Sequence, residues 1–127
     1  MSADLIAGIR RDRLAAFAAR EAETYIKARP KAAKALKDGA GTFLGGVPMH
    51  WMADWPMPHL PLVAKAHGAR IADIDGQTLD DFCLGDTGSM FGHSPAPVAR
   101  AIRAQARRGL TYMLPTEAAL TAGRLLT

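Results

Sequence analysis

The chain has 127 residues, 49% of them apolar and 22% charged, which sets the scale at one ordinary domain and excludes a disordered polyelectrolyte. Sixteen basic against twelve acidic residues leave a net charge of +4, too small an excess to imply nucleic acid by itself. One cysteine, Cys83, excludes an intrachain disulfide and is compatible with a reducing compartment.

The N-terminus, MSADLIAGIRRDR, carries charge within its first four residues and no apolar run of signal-peptide length. No stretch approaches the length of a bilayer span, so a cytoplasmic location and no membrane partner are the default expectation. Residues 3–28 are rich in Ala, Arg, Glu and Leu, contain no proline, and predict one helix. Its large apolar residues (Leu5, Ile6, Ile9, Leu14, Phe17, Tyr25) spread over roughly half the circumference, a face suited to lying across another surface. Pro30 ends this helix and can open a shorter one that stops near Asp38-Gly39.

Residues 39–61 hold four of the eight prolines, both tryptophans and two of the four histidines. Repeated proline predicts neither a central strand nor a helix here. An apolar, aromatic loop of this length is functional or covered by a partner. Residues 62–82 predict three short antiparallel strands, with turns at His67-Gly68 and Asp75-Gly76. Such a small sheet needs something packed on one face. After the glycine-rich LGDTGSMFGHSP, Ser94 is expected to cap a helix that starts at Pro95 and runs to Arg108, where Gly109 stops it. Thr116 caps a last helix with no terminating signal before Thr127.

Several residues invite chemistry. GDTGSMFGH lacks the dinucleotide spacing G-x-G-x-x-G and reads as a tight turn before a capped helix. His50, His59, His67, His93 and Cys83 show no zinc spacing, so no metal is expected. His93 is expected to fix its loop by bonding nearby backbone, and Asp75 to shape its Asp-Gly turn. Cys83, beside Phe82 at a strand end, reads as a small buried apolar residue. Arg100, Arg103 and Arg107 share a solvated helix face opposite Val98 and Ile102, which gives no reason to expect a nucleic-acid partner. His50 and Trp51 read equally as substrate wall and as packing. Asp86 and Thr87, polar in an apolar loop, read as pocket lining.

Taken together, GGV (Gly45–Val47), GARIADIDGQTLDDF (Gly68–Phe82), GHSPAPVARAI (Gly92–Ile102) and GLTYMLPTE (Gly109–Glu117) resemble the start of a class III pyridoxal-phosphate (PLP) aminotransferase. The similarity is to the glutamate-semialdehyde aminomutase and β-amino-acid aminotransferase branch. D-x-D-G followed by G-H-x-x-P, a helix and P-T-E is the specific part. The resemblance implies an α+β segment of a fold-type I transferase, with residues 1–44 as an N-terminal helical arm. Residues 45–127 would be the N-terminal part of the small domain and the entry to a cofactor domain outside this chain. It further implies a homodimer of the full-length chain, PLP as cofactor, and an amino donor and keto acceptor as small-molecule partners.

By position, the resemblance implies that Pro48, Met49, His50, Trp51 and Met52 line the substrate pocket together with Gly85, Asp86, Thr87, Gly88 and Ser89. In the aminomutase branch the first of these loops supplies an arginine that holds a substrate carboxylate. Here Met52 takes that position, and no arginine lies between Pro30 and Ala69. A hydrophobic or aromatic substrate group suits Met49, Trp51, Met52 and Trp55 better.

Transamination needs a lysine to form a Schiff base with the cofactor, a carboxylate for its pyridinium nitrogen and a cradle for its phosphate. The five lysines (Lys27, Lys31, Lys34, Lys37, Lys65) fall in predicted helices or a strand without that context. No catalytic residue is therefore expected in this chain, and the residues that hold the cofactor are expected beyond Thr127. The chain alone should be inert. The alternative is a truncated, non-catalytic product acting as an interaction module through its apolar loop.

Overall fold

Residues 11–28 contain neither proline nor glycine and form helix α1 (Arg11–Ala28) in the computed structural model, which describes residues 5–6, 8–86 and 88–127. The expected helix start near Ala3 is corrected. Leu5–Ile6 (β1) and Ile9–Arg10 (β2) pair antiparallel, and Gly8 sits at a φ of 82°, where a side chain would be strained. Residues 3, 4 and 7 of that expected helix lie outside the described residues.

Helix α2 (Pro30–Asp38) carries proline in its first turn and ends at Gly39, whose N–H returns to the Ala35 carbonyl at 3.0 Å. The proline-rich loop that follows is not wholly irregular: Leu44–Gly46 and His50–Asp54 form short 3-10 turns. Strands β3 (Val63–His67), β4 (Arg70–Asp73) and β5 (Thr78–Asp80) make an antiparallel sheet in that order, with Ile71 opposite Ala66 and Leu79. Two helices close the chain, α3 (Ala96–Ala106) and α4 (Glu117–Leu126). Thr116 does cap α4, its hydroxyl accepting from the Ala119 N–H at 3.3 Å. Ser94 does not cap α3; it lies at a φ of 52°, and the helix begins at Ala96. No described helix is long and apolar enough to cross a membrane.

Among the described residues Ala32 is the one buried hydrophobic side chain, so polar anchors join the elements. At the junction of α1 and α2, the Arg29 Nε donates to Asp73 Oδ2 at 3.0 Å, with the two side chains 9% and 0% exposed. The guanidinium also lies 4.2 Å over the Tyr25 ring. The other Asp73 oxygen accepts from the Asp75 and Gln77 N–H groups at 3.0 and 2.8 Å and shapes the β4–β5 turn. The Asp75 side chain does something the Asp-Gly reading did not anticipate. It accepts from the Lys31 and Ala32 N–H groups at 2.7 and 2.9 Å and caps α2 from across the fold.

A second closure lies at the far end of β5. Asp81 Oδ1 accepts from the Cys83 and Leu84 N–H groups, both at 2.9 Å, and Asp81 Oδ2 lies 2.6 Å from His93 Nε2. The His93 backbone exchanges two hydrogen bonds with Gly68, at 2.8 and 3.0 Å. His93 thus fixes its loop, through a side-chain carboxylate as well as backbone. The His93 hydrogen bond, followed by that from Leu84, holds the Asp81 carboxyl below its ordinary value. Cys83 is exposed, which corrects its reading as buried: β5 ends at Asp80, and the turn gathered by Asp81 carries Cys83 and Phe82 outward.

Three outcomes follow for the intact protein. Arg29→Met strands the buried Asp73 carboxylate and should cost about 3–5 kcal/mol in urea unfolding followed by circular dichroism. Asp75→Ala should cost about 1 kcal/mol, as for the loss of a helix cap. Because the folded Asp81 carboxyl is depressed, its contribution is complete above the ordinary carboxylate range and is lost as pH falls through the lower folded value. The gap in thermal midpoint between wild type and Asp81→Asn should therefore be full at about pH 7 and close below about pH 4.

Candidate functional site

Two cavities border the loops singled out in the sequence. The first, about 400 Å³, lies between α2 and the loop over residues 45–60, walled by Leu36, Lys37, Gly45, Met52, Trp55 and His59. Gly45 and Gly46, at φ of 71° and 75°, let the chain turn back under α2. The 3-10 turn His50–Asp54 then sets Trp51 and Trp55 side by side, their rings 6.2 Å apart and tilted by 38°. Met52 and Trp55 wall this cavity, whereas Met49, His50 and Trp51 stand outside its lining and are exposed.

Tyr25 on α1 ties this loop down. Its hydroxyl donates to the His59 carbonyl at 2.7 Å, and the two rings pack with centroids 5.2 Å apart and planes inclined by 58°. Burial raises the Tyr25 phenol above its usual value, against the lowering effect of Arg29, so it stays a proton donor. His59 Nδ1 lies 3.2 Å from the Leu60 carbonyl, which makes that nitrogen the protonated one. His59 Nε2 is buried and has no partner among the described residues. Neither Tyr25 nor His59 was singled out from the sequence as a site residue. The available signal was a tyrosine on the apolar stripe of the first helix, since a half-buried phenol needs an acceptor.

The second cavity, about 680 Å³, runs between the loop over residues 88–92 and α3, with Ser89, Met90, Phe91, Val98, Ile102 and Arg103 on its walls. Gly88 and Ser89 line it; Gly85 and Asp86 do not. Asp86 sits at a φ of 58° with Oδ1 3.8 Å from Cys83 Sγ. Thr87 lies outside the described residues. Neither cavity draws on both loops. Among the described residues no group of three or more His, Cys, Asp or Glu side chains could hold a metal ion.

No profile of a known protein family matches the chain. It is similar to a glutamate-1-semialdehyde 2,1-aminomutase of Thermoplasma acidophilum, 38% identical over 90 residues that make up 69% of this chain and 20% of that protein. In structure it is similar to a glutamate-1-semialdehyde aminomutase of Pseudomonas aeruginosa PAO1, also known in complex with PMP, at 45% identity and a TM-score of 0.85 over 94% of this chain and 26% of that one. An omega-transaminase of Sphaerobacter thermophilus follows at 28% identity and a TM-score of 0.61, over 68% of this chain and 19% of that one. The chain thus spans about a fifth to a quarter of the length of these relatives. In helices, small antiparallel sheet and sequence, it belongs to the class III aminotransferases, whose cofactor is pyridoxal phosphate.

Proposed function

We propose that this chain is the substrate-side portion of a PLP-dependent aminotransferase that acts on an amino acid or amine bearing a hydrophobic or aromatic group. The observation that carries the substrate class is the cavity under α2. Met52 and Trp55 face it, and its one cation, Lys37, lies on the exposed last turn of that helix. A carboxylate-binding site wants a guanidinium fork held in place, and this wall offers apolar surface instead. An amino donor and a keto acceptor are the small-molecule partners in this reading, and the whole enzyme works as a homodimer.

The residues of this chain do not by themselves fit the cofactor. All five lysines are exposed; Lys27 lies 3.7 Å from Glu23 and Lys34 is paired with Asp38 along their own helices. None shares a cavity with a carboxylate and a phosphate-binding run of N–H groups, the set that pyridoxal chemistry requires. In this reading the cofactor is held by the remainder of the whole protein, and this chain supplies the wall that meets the substrate side group. A non-catalytic interaction module is the second reading. It is favoured by apolar side chains left open to solvent, Phe82, Met113 and Leu126 being 98%, 101% and 88% exposed.

Incubation of the purified protein with PLP, borohydride reduction and intact-mass measurement separates the two. One phosphopyridoxyl adduct on a chain larger than 13.5 kDa is the expected result, and an unmodified 13.5 kDa chain would support the module. In the active enzyme, Met52→Arg should lower kcat/KM for hydrophobic amines by about tenfold and raise it for dicarboxylic donors. A parallel change for both donor classes would remove the first loop from substrate recognition.

A further inference from the structure

We infer that Asp81 and His93 are positioning residues, which together set the conformation in which the loop between them meets the substrate. The inference rests on the reading of that loop as part of the substrate wall. Hydrophobic burial does not hold the loop: Phe82 and Phe91 are 98% and 91% exposed, and Met90 is 69% exposed. Its backbone is also demanding. Leu84 and Asp86 lie at φ of 51° and 58°, and Ser94, just past its end, at 52°, a region that side chains other than glycine enter only when other contacts compel them.

The compelling contacts converge on two side chains. Asp81 gathers the start of the loop through the Cys83 and Leu84 N–H groups and its end through the His93 ring. Gly92 makes the closing approach to the sheet. A Cβ there would stand 3.1 Å from the Gly68 Cα, and at a φ of 83° a side chain would be crowded and strained. The ring links two partners as well. Nε2 faces a carboxylate and must donate, and Nδ1 lies 3.4 Å from the Ser89 hydroxyl, which can pair with either protonation state of that nitrogen. Asp81 therefore orients His93, and His93 orients the hydroxyl that Ser89 brings to the cavity wall. Neither Asp81 nor His93 lines that cavity, so both act through the loop.

The two ring nitrogens can be tested apart in the whole protein. His93→Gln places an amide N–H near the Nε2 position and keeps the bond to Asp81. His93→Asn places one near Nδ1 and loses it. Hydrogen exchange at the Cys83 and Leu84 amides should stay near wild type in His93→Gln and quicken about tenfold in His93→Asn and Asp81→Ala, with the β3–β5 amides unchanged. The KM for the amino donor should rise about tenfold in the last two variants, with kcat changing by less than about threefold. Equal behaviour of the Gln and Asn variants, or an Asp81→Ala enzyme with unaltered amides, would overturn the inference. Ser89→Ala, which removes the hydroxyl at the cavity wall, tests the underlying reading. If it raises KM while the Asp81 and His93 variants do not, positioning fails and the substrate wall stands. If the amides respond as expected and no variant, Ser89→Ala included, moves KM, the closure is upheld and the substrate wall is wrong.

Discussion

The Arg29–Asp73 pair is the joint on which the other elements depend. A chain that buries one hydrophobic side chain among its described residues cannot rely on a core to fix two helices against a sheet. The guanidinium sits where α1 ends and α2 begins, between the Tyr25 ring and the carboxylate of the last β4 residue. From that point the connections branch. Tyr25 reaches His59 and holds the tryptophan loop; Asp73 shapes the turn that delivers Asp75 to α2. A buried ion pair adds little net stability over an apolar pair of the same shape, but it fixes one geometry, because every displaced alternative leaves a charge without its partner.

The same polar organisation recurs at the loop after β5, with Asp81 in the place of Asp73. Both aspartates accept two backbone N–H groups on one oxygen and one cationic or ring donor on the other. The sheet thus carries a carboxylate at each of two exits, and each gathers the chain that leaves it. The loop after β5 lines one cavity and the loop before β3 the other, and the apolar faces of α3 and α4 remain open alongside them, with Val98, Ile102 and Leu120 each at least half exposed. This suits a chain that spans about a fifth to a quarter of the related folds, where flanking surface has more polypeptide to pack against.

What could be read from the residues was local. Pro30 marked the break between two helices, Asp75-Gly76 marked a turn, and Thr116 marked a cap, because each rests on chemistry within four residues. The family was legible for a related reason: its pieces are short runs at fixed spacing. The misses involve an unforeseen backbone angle or a side-chain partner that composition does not single out, whether two residues away or more than forty. A helix pattern over residues 3–28 gives no notice that Gly8 will turn the chain into a small hairpin. Composition does not show that Asp81 will draw Cys83 outward, nor that Asp75 will find α2 more than forty residues earlier. Of the candidate pocket residues, Met52 and Ser89 stand at cavity walls while Met49, His50, Trp51 and Asp86 do not, a distinction set by how each loop is anchored.

The cap that Asp75 places on α2 bears on how the chain folds. The first turn of a helix ordinarily frays, since its N–H groups can exchange one partner for water at little cost. Here two of those N–H groups close on a carboxylate that reaches them only once the β4–β5 turn is in place, and Asp73 orders that turn while holding the residue before the helix. Start of helix, turn and ion pair therefore form one cooperative unit. α2 gains its end only as the hairpin closes, which makes a contact between distant parts of the sequence the event that commits this half of the chain to its fold.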